Sequence, residues 1–271
     1  MRNERLRIGK IPYINLFPIF HVIEKLAGND RYTIIEGVPS VLNRSLREGS
    51  IDISPSSSIE HLRHPDKYDV ISNHSVSADG PVRSIYLFSR VPLEALDGQT
   101  ILTSSQSETS VALLKIICRK FYHLTCTFSS SGEPIETALR SHPSYLLIGD
   151  DAISQFRRWQ GLHVYDLGDL WKQHTGLPFT YALWLVRKEC ARTVPAELAS
   201  FVRDLDRAKE LALSDLGRIA SAAPFKGILS ENALVDYWRG ISYDLTEGHL
   251  KGLGLFRQYA TELGLLGPSS S

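Results

Sequence analysis

The sequence is short of everything that would tie it to a membrane, a polyanion or a disulfide framework. Its three cysteines, Cys118, Cys126 and Cys190, are odd in number and far apart, which suits reduced thiols packed as small hydrophobes. No apolar run reaches the roughly 18 residues that a membrane span needs, so no membrane partner is expected. Thirty basic side chains stand against thirty acidic ones, giving no electrostatic reason to bind nucleic acid. MRNERLRIGK carries no apolar signal core, so a cytoplasmic protein is expected. The phosphate-binding G-x-x-x-x-G-K-[ST] and dinucleotide-binding G-x-G-x-x-G patterns are missing, as are G-x-S-x-G and H-E-x-x-H. His61 and His64 stand three apart with no further ligand beside them, so no metal site is expected.

What is present reads as an ordinary globular chain, 43% hydrophobic and 22% charged over 271 residues. Strand-like runs (LRIGKIPYI, YTIIEGV, IDISP, QTILTS, SYLLIG, YALWLVRKE) alternate with helix-like runs (NLFPIFHVIEKLA, PSVLNRSLREG, ETSVALLKIICRKF, DDAISQFRRW). Ile19, Ile23 and Leu26 would form the apolar face of the first helix. Such alternation implies an α/β fold with mostly parallel sheets. From Pro195 the pattern is helical, and the terminal GPSSS should fray. Two alternating runs before a helical tail suggest two lobes. The expected division is residues 1–90 and 180–271 for one, 91–179 for the other.

In open α/β sheets ligands sit beyond the carboxyl ends of the strands, so the residues there matter most. Asn15 follows the first strand, either as a helix cap or as a polar contact. Ser56, Ser57 and Ser58 follow the third, and Ser57 with Glu60 has capping-box spacing. Ser104 closes QTILTS and Ser105, Ser107 and Thr109 follow it, with Ser105 and Glu108 spaced likewise. Gly149 and Asp150 precede the helix after SYLLIG. Each junction taken alone is an ordinary helix start worth about 1 kcal/mol. Together they can converge on one cleft, where helix N-termini and small hydroxyls favour a small organic anion. In GPVRSIYLFS, Ser84 alternates with Arg83, so in a strand the two face opposite ways. Ser84 is a ligand contact or a local hydrogen bonder. Thr175, Gly176 and Leu177 open TGLPF, a turn before the return strand whose glycine would let backbone approach a ligand. Asp150 and Asp151 are adjacent and point apart, which speaks against a shared proton.

Taken in order, GKIPYINLFPIF, EGVPSVLNRSLREGSIDISPSSSIEHL, GPVRSIYLFSR, SSQSETSVALLK, LIGDDA and GDLWKQHTGLPFTYALW resemble the chorismate dehydratases of the futalosine route to menaquinone. The resemblance spans the chain up to about Trp184. It implies a two-lobed, periplasmic-binding-protein-like fold of type II with a helical C-terminal tail. It also implies loss of water from chorismate to give 3-[(1-carboxyvinyl)oxy]benzoate, with no cofactor, in a cytosolic monomer or homodimer. A sister enzyme that forms a dihydroxynaphthoate typically ends its first strand in an S-P-C-P-N-D type sequence, where IPYINLFP stands here. Asn15 and Ser84 are the expected catalytic residues. Ser56, Ser57, Ser58, Ser105, Ser107, Thr109, Gly149, Asp150, Thr175, Gly176 and Leu177 are the expected substrate contacts. No His or Glu stands at a strand end as a general base. Asn15 would therefore position the reacting centre while a substrate carboxylate takes the proton. A binding module that closes on an anion without chemistry is the reading from a different class.

Overall fold

Leu6 and Ile8 bury one side of β1 (Leu6–Lys10), and the chain then tightens into a single 3-10 turn at Ile14–Leu16 before α1 (Phe17–Ala27). The computed structural model describes residues 5–28, 31–159 and 161–267; the expected fraying of the terminal serines lies outside them. β2 (Tyr32–Glu36), α2 (Pro39–Glu48), β3 (Ile53–Ser57), α3 (Ser58–Arg63) and β4 (Tyr68–Ala78) continue the alternation. Gly49 ends α2 in the left-handed region, as its position predicts, and its N–H bonds back to Ser45 and Leu46. Leu26 departs from the expected face of α1: Ile19 and Ile23 are buried, but Leu26 is 38% exposed.

The next segment holds β5 (Ile85–Ser89), β6 (Thr100–Ser104), α4 (Glu108–Ile116), β7 (Thr127–Ser131), α5 (Ile135–Ser141), β8 (Ser144–Ile148) and α6 (Gly149–Phe156). β9 (His163–Asp166) and α7 (Leu167–Thr175) follow, two elements that the strand and helix patterns do not predict. The return strand β10 (Phe179–Arg187) leads to α8 (Lys188–Thr193), α9 (Pro195–Ser214), α10 (Leu216–Ala222), α11 (Glu231–Arg239) and α12 (Glu247–Glu262). The long helix expected after Pro195 breaks at Asp215, whose side chain caps α10 by accepting from the N–H of Arg218 at 3.0 Å.

The chain divides into two units, each assembled from two segments: Met1–Val76 with Ala182–Leu245, and Ser77–Tyr181 with Thr246–Ser271. The expected boundaries after residues 90 and 179 need correction at both ends of the second unit. β5 pairs with β8 and β9, which draws residues 77–90 into the second unit, and α12 belongs there too rather than with the rest of the tail.

The first unit carries a sheet of order β2-β1-β3-β10-β4, with β1 parallel to β2 and β3, and β10 antiparallel to β3. Its core is aromatic at the centre: Trp184 lies 5.5 Å from Phe20 and 5.9 Å from Phe201, ring centre to ring centre. The second unit carries the order β7-β6-β8-β5-β9, with β6 parallel to β7 and β8, and β5 antiparallel to β8 and β9. There Phe179 packs 5.1 Å from Trp171 and 5.0 Å from Phe256, which seats α7 and α12 on one cluster. Each such buried ring or branched chain contributes about 1.5–3 kcal/mol. Among the described residues no helix is long and apolar enough to cross a membrane.

Candidate functional site

In the first unit, the carboxyl ends of β1 and β3 and the start of β10 share one sheet edge, with Ala182 opposite Ser57. Asn15 stands there in the 3-10 turn, and it is not a helix cap: Tyr13 and Leu16 precede the 3-10 turn and α1, and neither makes a side-chain cap. Its main chain is pinned from α11 and beyond. The Trp238 indole donates to the Ile14 carbonyl at 2.7 Å, and the Tyr243 hydroxyl to the Asn15 carbonyl at 2.6 Å. Burial pushes the Tyr243 phenol up, so it remains a neutral donor.

With the backbone fixed, the Asn15 amide oxygen is buried and has no hydrogen-bond partner. On β3, the strand that pairs with β1, Ser56 is fully buried and its hydroxyl is also unpartnered. Asn43 accepts from the Ser57 N–H at 3.3 Å through its oxygen, which leaves its buried amide nitrogen unpartnered. Buried polar groups are nearly always satisfied, and three of the exceptions fall on α2, β3 and the turn after β1. Asn43 escaped the reading of strand ends because it stands inside α2.

The Ser57–Glu60 capping box does not form: Ser57 is the N-cap residue of α3 but makes no side-chain cap. Glu60, 1% exposed, instead accepts from Arg47 at 2.6 Å and from the Tyr68 hydroxyl at 2.7 Å. Ser58 is buried in the first turn of α3. Neither α1 nor α2 has an acidic residue in its first turn, so neither dipole is answered by a carboxylate of the helix's own first turn.

In the second unit, Ile85 pairs with Ile148 and Tyr86 with Asp166, so Ser84, Gly149 and the end of β9 meet at one edge. The end of β6 lies on the same edge through its parallel pairing with β8. Ser84 is not in a strand, and the alternation argument fails. Arg83 is left-handed at φ 59°, and β5 begins only at Ile85. For a residue with a side chain that conformation costs about 1–2 kcal/mol. Asp166 offsets it: its carboxylate accepts from the N–H groups of Arg83 at 2.7 Å and Val82 at 3.1 Å. The same group caps α7 through Gly168 at 2.8 Å and Asp169 at 3.2 Å. Burial raises the Asp166 pKa, and the four amide bonds pull against that rise.

Ser84 is 3% exposed, and its hydroxyl makes one long bond, 3.4 Å to the Val82 carbonyl. Its own carbonyl accepts from Gly149 at 2.7 Å, where Gly149 takes φ 61° at no steric cost. Asp150 opens α6 beside it, half-buried.

The Ser105–Glu108 box is also absent. Ser107 caps α4, accepting from Ser110 at 3.3 Å, while Ser105 is exposed and Thr109 is buried inside α4. Ser104 and Ser105 line a cavity of about 240 Å³ with Ser131, Tyr145, Glu133 and Asp151. Glu108, Asp150 and Asp169 sit in the first turns of α4, α6 and α7, so these dipoles are already answered by the chain's own carboxylates. Of the expected helix starts, that of α1 is free of carboxylates in its first turn, whereas α3, α4 and α6 carry Glu60, Glu108 and Asp150 there. Thr175 is committed internally: it donates to the Trp171 carbonyl at 2.7 Å and accepts from Leu177 at 3.2 Å. Gly176 ends α7 at φ 71° with open space where a side chain would stand.

A larger hollow of about 620 Å³ opens at the opposite, amino edge of the first unit's sheet, lined by Arg7, Asp52, Arg187 and Glu189 among others. Arg7 is paired there with Asp52 at 2.6 Å and Arg187 with Glu189, and none of the expected substrate contacts lies there. Cys190 also lines it, and burial pushes that thiol up to about 11. Cys118 and Cys190 are buried, as expected of packing cysteines, and all three are free. Among the described residues no group of His, Cys, Asp and Glu is arranged to hold a metal ion.

The family model for menaquinone biosynthesis matches residues 6–262. The chain belongs to that family. It is 29% identical, over 95% of both chains, to the chorismate dehydratase of Thermus thermophilus. It is 26% identical to the 1,4-dihydroxy-6-naphthoate synthase of the same organism, over 74% of this chain and 72% of that one. The periplasmic aliphatic sulphonate-binding protein of Escherichia coli superposes with a TM-score of 0.67 at 14% identity, over 97% of this chain and 88% of that one. That likeness carries the fold alone: a periplasmic-binding-protein-like architecture with mixed sheets and a helical C-terminal region, as the resemblance implied.

Proposed function

We propose that this protein is a chorismate dehydratase, a carbon–oxygen lyase that removes water from chorismate to leave 3-[(1-carboxyvinyl)oxy]benzoate. The observation that carries this reading is the near full-length match to the dehydratase. The match to the sister naphthoate enzyme is lower and stops at about three-quarters of the chain. The reaction balances within the substrate. One C–H bond at the ether-bearing ring carbon breaks, its electron pair enters the ring, and the neighbouring C–O bond breaks to release hydroxide, which leaves as water with the proton. The ring becomes aromatic, so the driving force is the substrate's own. The protein has to orient a dianion and stabilise charge that spreads onto the ring carboxylate.

The polar edges suit that task. The catalytic part is assigned to Asn15 and to Ser84, with Asn15 offering an amide whose buried oxygen has no partner. An amide oxygen is scarcely basic, so a substrate carboxylate is the first acceptor of the proton. Ser56, Ser57 and Ser58, together with the dipoles of α1 and α2, hold one carboxylate. Ser105, Ser107, Thr109, Gly149, Asp150, Gly176 and Leu177 make the other contacts, with Thr175 supporting the turn. No cofactor enters, and the protein works in the cytoplasm as a monomer or homodimer.

The test is direct: incubate purified protein with chorismate and follow the aromatic product by absorbance and mass. Formation of the carboxyvinyloxybenzoate supports the reading. Tight chorismate binding without turnover would leave a binding module instead.

A further inference from the structure

Ser84 is held from one side by Gly149, but the conformation that presents it is set by the residue before it. Arg83 occupies the left-handed region at φ 59°, a backbone that an arginine rarely adopts. The Arg83 N–H is bound by one carboxylate oxygen of Asp166 at 2.7 Å. The other oxygen of Asp166 takes the N–H groups of Val82, Gly168 and Asp169. One side chain thus ties the segment before β5 to the start of α7, across 83 residues of chain. The two segments are closely packed: a Cβ on Gly168 would stand 2.4 Å from the Gly80 carbonyl oxygen and 3.1 Å from the Val82 nitrogen.

We propose that Asp166 is a positioning residue for Ser84: by accepting from the Arg83 and Val82 amides it holds Arg83 left-handed and so aims the Ser84 hydroxyl at the substrate. This rests on the dehydratase reading and adds to it a residue that makes no substrate contact of its own.

The chemistry of an amide at this position makes the claim sharp. In Asp166→Asn the oxygen can keep the three bonds to Val82, Gly168 and Asp169. The NH₂ group then faces the Arg83 N–H, donor against donor, and the Arg83 restraint alone is lost.

The test measures chorismate turnover by the full chain in a double-mutant cycle. Asp166→Asn should shift the same kinetic constant as Ser84→Ala, in the same direction, by about tenfold or more. In the Ser84→Ala background the same change should cost less than about twofold, because the hydroxyl it aims is gone. Equal losses in both backgrounds would overturn the positioning role and leave Asp166 a part of the scaffold. Should Asp166→Asn fail to fold, Arg83 serves as the second probe. Arg83→Asn and Arg83→Val both remove the guanidinium, but asparagine tolerates the left-handed region and valine does not. The valine variant should be slower than the asparagine variant by about tenfold, and equal rates would overturn the proposal. An inert wild-type protein would remove the dehydratase reading and this inference with it. An active wild type that is indifferent to Ser84→Ala would remove this inference only.

Discussion

The Tyr243 hydroxyl donates to the backbone carbonyl of Asn15 at 2.6 Å, and so fixes the turn on which that amide rides. Tyr243→Phe removes the donor without changing the ring. It should lower stability by about 1–2 kcal/mol in denaturant unfolding, since the buried carbonyl is left unmatched. A simultaneous several-fold fall in kcat is expected, and unchanged kcat would mean that the turn needs no such anchor.

Asn15→Ala deletes a polar contact whose carbonyl oxygen is unsatisfied within the protein. The expected loss in kcat is about 100-fold, the scale seen when one preorganised polar group is taken from a developing charge. Near-normal turnover of chorismate would remove Asn15 from the reaction.

Ser56→Ala separates stability from activity. The Ser56 hydroxyl is buried without a partner, so its removal should leave the unfolding free energy unchanged or raise it by up to about 1 kcal/mol. The same variant should lose about tenfold in kcat/KM if the hydroxyl meets a substrate carboxylate. Unchanged kinetics would make Ser56 an ordinary packing residue.

A methyl group on Gly252 would lie 2.1 Å from the Pro178 carbonyl oxygen, where α12 crosses the turn before β10. Alanine ordinarily improves a helix over glycine by about 1 kcal/mol. Here the clash should win, and Gly252→Ala should destabilise by about 1–3 kcal/mol in thermal unfolding. An increase in the melting temperature would show that α12 moves aside freely.

His74 is 2% exposed on β4, with its Nε2 2.8 Å from an Asp206 carboxylate oxygen. Burial, aided by Lys209, lowers its pKa below the ordinary 6.5, against the pull of Asp206 and Asp244. The unfolded chain therefore takes up a proton near pH 6.5, and the folded chain takes it up only at lower pH. Between those values the unfolded state binds more protons, so stability should fall as the pH drops below 6.5. His74→Gln should flatten that slope, and an unchanged slope in urea titrations would assign it to other groups.

Much of this was readable from the chain, where a single period or a single residue type decides the local structure. The buried alternation of β1, the αL stop at Gly49 and the strand-to-helix order all follow from local pattern. Asn15, Ser56 and Ser84 stand at sheet edges for the same reason. The capping assignments failed because a Ser-x-x-Glu spacing says nothing of what else wants the glutamate. Glu60 is claimed by Arg47 and Tyr68. β9 was missed because four residues of mixed polarity carry no period of their own; pairing with β5 makes them a strand. Asp166 was invisible for a related reason: its partners at Val82 and Arg83 are brought to it only by that pairing. The lobe boundaries moved because strand partners and the resting place of α12, not helix content, decide membership.

The two-segment make-up of both units has a consequence for synthesis. Neither body can close its core until residues beyond Ala182, and for the second beyond Thr246, have left the ribosome. A chain stopped at residue 245 would carry a finished first body and a second one whose Phe179 lacks Phe256. Emergence of α12 is thus the step that commits the second body to its native state.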